Sequence, residues 1–554
     1  MASPPITRRA LFLGALTIAV NFAYLILLVG EGSGSGSYVR SQFPMAAFAP
    51  FVLWLFLNIA LKCIWPRLAL RQSELLTIFA MLWVAGALPQ WGWSDYWIAI
   101  VAAPAYLNTP ENQYADLFFA YLPWQVLPSA SDRVMEPFWM GLPQGGVVPW
   151  DGWLMATVSW LGVSVAMVVF GFCLTVLFQR QWVEAERLAF PLAMLPMELT
   201  RGIDGPRRVP DLFRSVAFWI GFAVVFLPLL YNIGAYFSPG LPLAELYTKM
   251  YRVVLPAPFP TLTIRVLPLV IMLAYLCPLD ILGSMVFFVL LAALKIGGIE
   301  RVGFLAGGRG QQLGTDQILS LESFGAILFI AGWSVWLARR HLSEVWALVR
   351  TGAGPRNEVY RYRLVLVGLL LSALYVIGWA HSIGASLPVA AVSFAMMALT
   401  FFVTIKLIAA TGFPYLMPSW PNVKGQIFIA DLIGTNQLSE QSLVAFKLFT
   451  SHGFFGNIRL PAWPAMPHVL RIFSMARQPG RVTALVLVAF VVGFLVTVWA
   501  SLEMAYAKGG ATFLMGATAV YDQIANQLHN PIAGAPVKWL VWLTGVAEAW
   551  GLAF

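Results

Sequence analysis

The residues best placed to do chemistry in this chain are charged or helix-breaking groups set inside long apolar runs. In "CPLDILGS" (277–284), Pro278, Asp280 and Ser284 interrupt a stretch, 266–297, that is otherwise almost wholly apolar. A charge at the centre of a membrane helix costs roughly 2.5–3.5 kcal/mol unless it is paired or faces water. Two readings satisfy the same residues. Pro278 could free backbone carbonyls that, with Asp280, hold a proton or cation at a broken helix near the midplane. Equally, "CPLD" could be a turn at the water surface, with Asp280 capping the helix that follows. Lys406, in "ALTFFVTIKLIAATGFP", has a similar pair of readings: partner to a carboxylate, or a side chain snorkelling to the nearby membrane face. Glu503 and Glu548 lie near expected helix ends, and Glu322, at the start of a span, reads as an exposed first-turn acid.

Two Phe-Pro elements, "AERLAFPLAMLP" (185–196) and "AATGFPYLMP" (409–418), follow apolar helices in the two halves of the chain. They carry Glu186, Phe190 and Pro191 in one case, Phe413 and Pro414 in the other. Proline in an apolar run breaks the hydrogen-bond ladder, and paired interrupted segments are the sequence mark of a transporter repeat. The expected organisation is therefore a single membrane domain over 1–554 with two pseudo-repeat halves, about 1–260 and 261–554.

No enzyme signature is present. The histidines are scattered without ligand spacing, and there is no H-E-x-x-H or C-x-x-C pattern, so no metal, cofactor or catalytic residue is expected. "GGRGQQLG" (307–314) follows an apolar helix instead of a strand and lacks a phosphate-binding lysine.

The elements that must position these groups follow from composition. Of 554 residues, 60% are hydrophobic and 11% charged, and apolar runs recur from end to end. At about twenty residues each, such runs match the ~30 Å hydrocarbon core. The fold expected is all-α, a polytopic bundle of about ten to twelve spans with broken or re-entrant helices. The net charge of +9 sits in short connectors beside the spans, which is the positive-inside pattern and excludes nucleic acid as the partner. Arg8 and Arg9 precede the first span, which lacks a small-residue cleavage site and reads as an uncleaved helix with its N-terminus cytoplasmic.

Charge parity constrains the rest. If 266–297 were one crossing, the next helix would deliver the arginines from Arg339 to Arg363 to the outer side. This stretch is therefore expected to be a hairpin of two half-helices broken at Pro278. By the same bookkeeping residues 90–150, rich in Trp and acids, lie outside, and about 411–481 form a cytoplasmic stretch. The apolar run from Val537 reaches Phe554 without a polar tail, so a continuation or partner chain is expected there.

"SELLTIFAMLWVAG", "ERLAFPLAMLPMEL" and "PLDILGSMVFFVLLAALK" resemble an uncharacterised family of large bacterial multispanning proteins, itself similar to the oligopeptide transporter superfamily. The resemblance implies movement of small peptides or metal chelates, coupled to protons, through paired helical halves with re-entrant segments. It places Glu186, Phe190, Pro191, Asp280 and Ser284 in family-type motifs. The function expected is an ion-coupled permease of the bacterial inner membrane, with the bilayer, a small solute and a homo-oligomer or membrane partner chain as partners. The alternatives are a structural subunit of a membrane complex, or a membrane transferase using an outer acid among Asp95, Glu111, Asp132 and Glu136.

Overall fold

The computed structural model describes residues 5–29, 43, 45–205, 209–238, 240–244, 250–275, 277–305, 313–413, 428–451, 453–454, 456–473, 478–510 and 517–553. The chain is an all-α polytopic bundle. In order, its helices begin with α1 (Arg8–Ala23), α2 (Met45–Ile64), α3 (Gln72–Ala85) and α4 (Ser94–Tyr106). The short α5 (Tyr114–Phe118) and α6 (Asp132–Met140) lead to α7 (Asp151–Arg180), α8 (Pro191–Thr200) and α9 (Val216–Phe237). A two-stranded antiparallel ribbon follows, β1 (Met250–Val253) on β2 (Leu262–Arg265), with Met250 opposite Arg265. Then come α10 (Pro268–Tyr275), α11 (Leu279–Val302), α12 (Thr315–Leu337), α13 (Arg339–Thr351), α14 (Arg356–Ser382) and α15 (Leu387–Thr411). The chain finishes with α16 (Phe428–Ile433), α17 (Glu440–Thr450), α18 (Met466–Ile472), α19 (Pro479–Lys508), α20 (Ala517–His529) and α21 (Pro536–Ala553).

Among the described residues nine helices are long and apolar enough to cross a membrane. They mark out two ends. At the basic end, Arg481 donates to the Ile6 carbonyl, Gln72 N–H to Asp204, and His341 Nε2 meets the Leu177 carbonyl. At the aromatic end, Leu142 N–H reaches the Tyr506 carbonyl, Gln125 the Ser382 carbonyl, and Tyr114 donates its hydroxyl to Asp522.

The segment 266–297 departs from the expected pair of half-helices. Its break does fall at Pro278, but the first piece, α10, has only 8 residues. At ~1.5 Å per residue that is about 12 Å, far short of a crossing. The second, α11, is a full helix of 24 residues. Pro278 supplies a fixed φ and lacks an N–H, which suits the position just before a helix.

Two other segments depart further from the expected layout. Helix α3 is buried from Ser73 to Ala85 and almost wholly apolar from Leu75 onward, as a core helix must be. Its start is fixed by Glu74, whose carboxylate accepts from the Arg71 N–H (3.1 Å) and the Thr7 hydroxyl (2.9 Å). It has 14 residues. That gives it about 21 Å at ~1.5 Å per residue, too short to cross. At "GALPQWGW" (86–93) the helix breaks, and α4 resumes from Ser94 inside the core, where Trp97, Ala99 and Ala103 are fully buried. Residues 94–106 are thus not part of an outer surface layer.

The expected cytoplasmic stretch 411–481 is likewise corrected over 440–472. Helix α17 starts at the aromatic end, where Ser442 Oγ accepts from the Ser386 N–H. From there the chain descends along α7. The Phe454 ring lies 5.3 Å from Trp160, Trp463 Nε1 donates to the Met167 carbonyl (2.9 Å), and Gln179 Nε2 donates to the Leu470 carbonyl (2.6 Å). Trp160 to Gln179 is about 28 Å of helix at ~1.5 Å per residue, close to the thickness of a hydrocarbon core. Much of this descent is turns, between α17 and α18, rather than α-helix. Gly171 permits it, since a Cβ there would run into the Trp463 indole.

Candidate functional site

The two broken segments run in opposite directions and meet at their breaks. Trp93 Nε1 donates to the Gly453 carbonyl at 2.9 Å, and Asn457 Nδ2 donates to the Gly92 carbonyl. Backbone groups freed by a break at membrane depth need protein or water partners. Each break here satisfies part of the other. Gly92 admits no side chain, because a Cβ would collide with the Ala87 carbonyl oxygen. Gln90 is held at φ 51, a left-handed conformation that a non-glycine residue adopts only where its surroundings impose it.

Polar and charged side chains gather at this crossing. Asn457 Oδ1 accepts from both the backbone N–H (3.1 Å) and Nε (3.2 Å) of Arg459. Arg459 is 7% exposed and Asp95 3%. Ser94 Oγ accepts from the Gln90 N–H at 2.8 Å and lies 3.2 Å from Ser501 Oγ on α19. Aromatic walls enclose them: Trp93 stacks on Trp97 at 5.2 Å and packs on Phe494 at 4.6 Å. Buried ionisable groups in membrane proteins line substrate and ion paths more often than they serve packing.

The Phe-Pro elements, read as one in each half, are brought together. Phe190 N–H donates to the Ala409 carbonyl at 2.9 Å. Gly412, at φ +73, packs its α-carbon against the Pro191 ring. Glu186 and Lys406 form an ion pair at 2.7 Å, their side chains 15% and 13% exposed. Lys406 also donates to Ser334 Oγ (2.9 Å) on α12, and Gln181 donates to Glu186. Arg187 and Phe190 are both left-handed, at φ 53 and 49, which turns the chain sharply between α7 and α8. Phe413 follows, its N–H on Thr411 Oγ1, and Pro414 lies outside the described residues.

Beneath the crossing sits His468, fully buried, stacked on Trp83 at 5.0 Å and met edge-on by Phe190 at 5.8 Å. Neither ring nitrogen has a hydrogen-bond partner. A buried polar group left unsatisfied costs about 1–3 kcal/mol. His468→Phe should therefore raise the melting temperature of the purified protein, by removing that cost while keeping both ring contacts. A thermal unfolding curve that shifts downward would show that the imidazole is bonded after all.

Pro278, Asp280 and Ser284 stand apart from both clusters. Asp280 and Ser284 are exposed in the first turns of α11, with the Ser284 hydroxyl on the Asp280 carbonyl at 2.7 Å. Asp280 takes part in no ion pair among the described residues. Glu322, expected as an exposed acid, is largely buried and, with Glu548 of α21, converges on Lys295, with Lys295 3.0 Å from Glu322. Gly545 lets α21 lie directly on the Glu322 carbonyl. Among the described residues no three His, Cys, Asp or Glu side chains group as a metal site.

Asn457 and Arg459 are not singled out by sequence, and Asp95 is singled out only as an outer acid, because hydropathy places their segments at opposite faces of the membrane. A signal was present all the same: "GALPQWGWSDYW" (86–97) and "GFFGNIRLPAWP" (453–464) share Gly, Pro, Trp, an amide and one charge.

The model of a family of unknown function (DUF6785) matches residues 1–554. No curated protein and no solved structure matches the chain.

Proposed function

The chain belongs to that family of unknown function, and on this footing we propose that it is a permease, moving a small solute across the bacterial inner membrane by ion-coupled alternating access. The observation that carries the reading is the meeting of two oppositely directed broken segments, Trp93 on Gly453 and Asn457 on Gly92, around buried Asp95 and Arg459. Discontinuous helices that meet inside a bundle build the substrate sites of secondary transporters, because only there can unwound backbone face a ligand. Arg459 offers a solute carboxylate a planar fork of donors. A peptide-like or chelated solute carries such a group, and the resemblance of the Phe-Pro elements to oligopeptide transporters points the same way. The positive-inside bias puts the basic end, with Arg8, in the cytoplasm.

A second reading, as a subunit of a larger membrane assembly, draws on α9 and α11, whose apolar surfaces are almost entirely unburied within the chain. Proteoliposomes separate the two. Purified protein should take up a member of a panel of short peptides and metal chelates, saturably and driven by an imposed cation gradient, and Asn457→Ala should not. A stably folded protein that transports nothing in the panel, and that purifies with a stoichiometric partner chain, would favour the assembly reading.

A further inference from the structure

We infer that the first break, between α3 and α4, is a binding site for a sodium-sized monovalent cation, completed by α19. This deepens the permease reading and rests on it for its purpose, though binding itself requires no transport.

Gln90 donates its amide Nε2 to the Leu25 carbonyl at 2.8 Å, which leaves Oε1 pointing elsewhere; that oxygen is buried and has no donor. Thr497 on α19 is fully buried, and its Oγ1 has no partner either. Thr497 lies one helical turn before Ser501, on the same face of α19. Ser501 Oγ is in turn 3.2 Å from Ser94 Oγ. Ser94 Oγ holds the Gln90 N–H and lies 3.5 Å from Asp95 Oδ1. Oxygens of Ser94, Asp95 and Ser501, from two elements, are thus in contact, with Gln90 bonded to Ser94 and Thr497 one turn from Ser501.

Asp95 alone would prove little. It occupies the first turn of α4, where the helix dipole already favours a carboxylate. The undonated oxygens of Gln90 and Thr497, buried beside these groups, need a different explanation, since most buried polar atoms in folded proteins are satisfied. A hard cation supplies it: such ions take oxygen ligands and satisfy several acceptors at once. The carbonyl end of α3 also faces the break and adds partial negative charge. A single carboxylate balances one positive charge, whereas divalent sites gather several. The buried cation of the partner segment, Arg459, is oriented by Asn457 on the other side of the crossing. One break would then take the coupling ion and the other an anionic group of the solute.

The test is equilibrium binding of radiolabelled sodium to the purified protein, with choline holding the ionic strength. Saturable binding, competed by lithium and not by potassium, is expected. Thr497→Val keeps the side-chain shape and should weaken it about tenfold, the loss of one ligand. Asp95→Asn should abolish it. Both variants are checked by melting curve, and if Asp95→Asn fails to fold, Thr497→Val and Ser501→Ala carry the test. No saturable binding in the wild type, or equal binding in Thr497→Val and Ser501→Ala, overturns the inference. Sodium binding without uptake of any solute would sink the permease reading alone, and solute uptake without saturable sodium binding would sink the cation site alone.

Discussion

Arg459→Ala is expected to lower solute uptake in proteoliposomes about 100-fold, the effect of deleting one partner from a buried charged contact. The guanidinium is almost wholly enclosed, and two donors of the residue, the backbone N–H and Nε, are committed to Asn457 Oδ1. That fixes the plane of the guanidinium fork. Burying an arginine in a membrane protein is costly enough that a packing role alone would not sustain it. Arg459→Lys separates recognition from architecture. Lysine keeps the charge but offers a point donor where a carboxylate would be gripped by two, so KM for the solute should rise about tenfold while the melting temperature is nearly kept. If KM is unchanged in Arg459→Lys and only the amount of folded protein falls, Arg459 is an architectural residue that serves Asn457.

The class of the fold could be read from composition, and the reason is thermodynamic: lipid forces nearly continuous apolar helices, which leave a plain signature. Asn457 and Trp93 show where that signature fails. A broken crossing divides its apolar run with Gly, Pro and polar residues, so neither half reaches the length by which a span is recognised. Once the segments around Trp93 and Gly453 were read as an outer layer and a cytoplasmic stretch, the two breaks could not be seen to meet. Charge parity before Arg339 points to Pro278, the most conspicuous break in the chain, and says nothing of the irregular descent beside α7 between Phe454 and Leu470. The Phe-Pro elements fared differently. Their likeness was visible, and what sequence could not supply was that Phe190 and Ala409, from opposite halves of the chain, are bonded to one another. Lys295 with Glu322 and Glu548 gives the same lesson, because charges near separate helix ends look individually bland until the helices are packed.

Lys406→Met should destabilise the protein more than any other single neutralisation among the pairs described. Lys406 and Glu186 are both largely buried, and they tie α15 to the turn that follows α7, with Ser334 of α12 as third member. Removing the lysine strands a carboxylate among apolar neighbours, for which a cost of about 3 kcal/mol is typical. Removing both charges is a different matter, since the desolvation of two ions is then no longer required. Lys406→Met combined with Glu186→Gln should recover most of the lost melting temperature, because the new amide keeps an acceptor oxygen for the Gln181 side chain. The cycle therefore measures whether the pair is an attachment or a liability that each partner makes tolerable. The exposed pair Arg180 and Glu184 supplies the comparison: neutralising Arg180 should cost less than about 1 kcal/mol. Should Lys406→Met melt no lower than the Arg180 variant, the Phe-Pro contact is held by the Phe190 to Ala409 hydrogen bond and the Pro191 packing, and the ion pair is incidental to it.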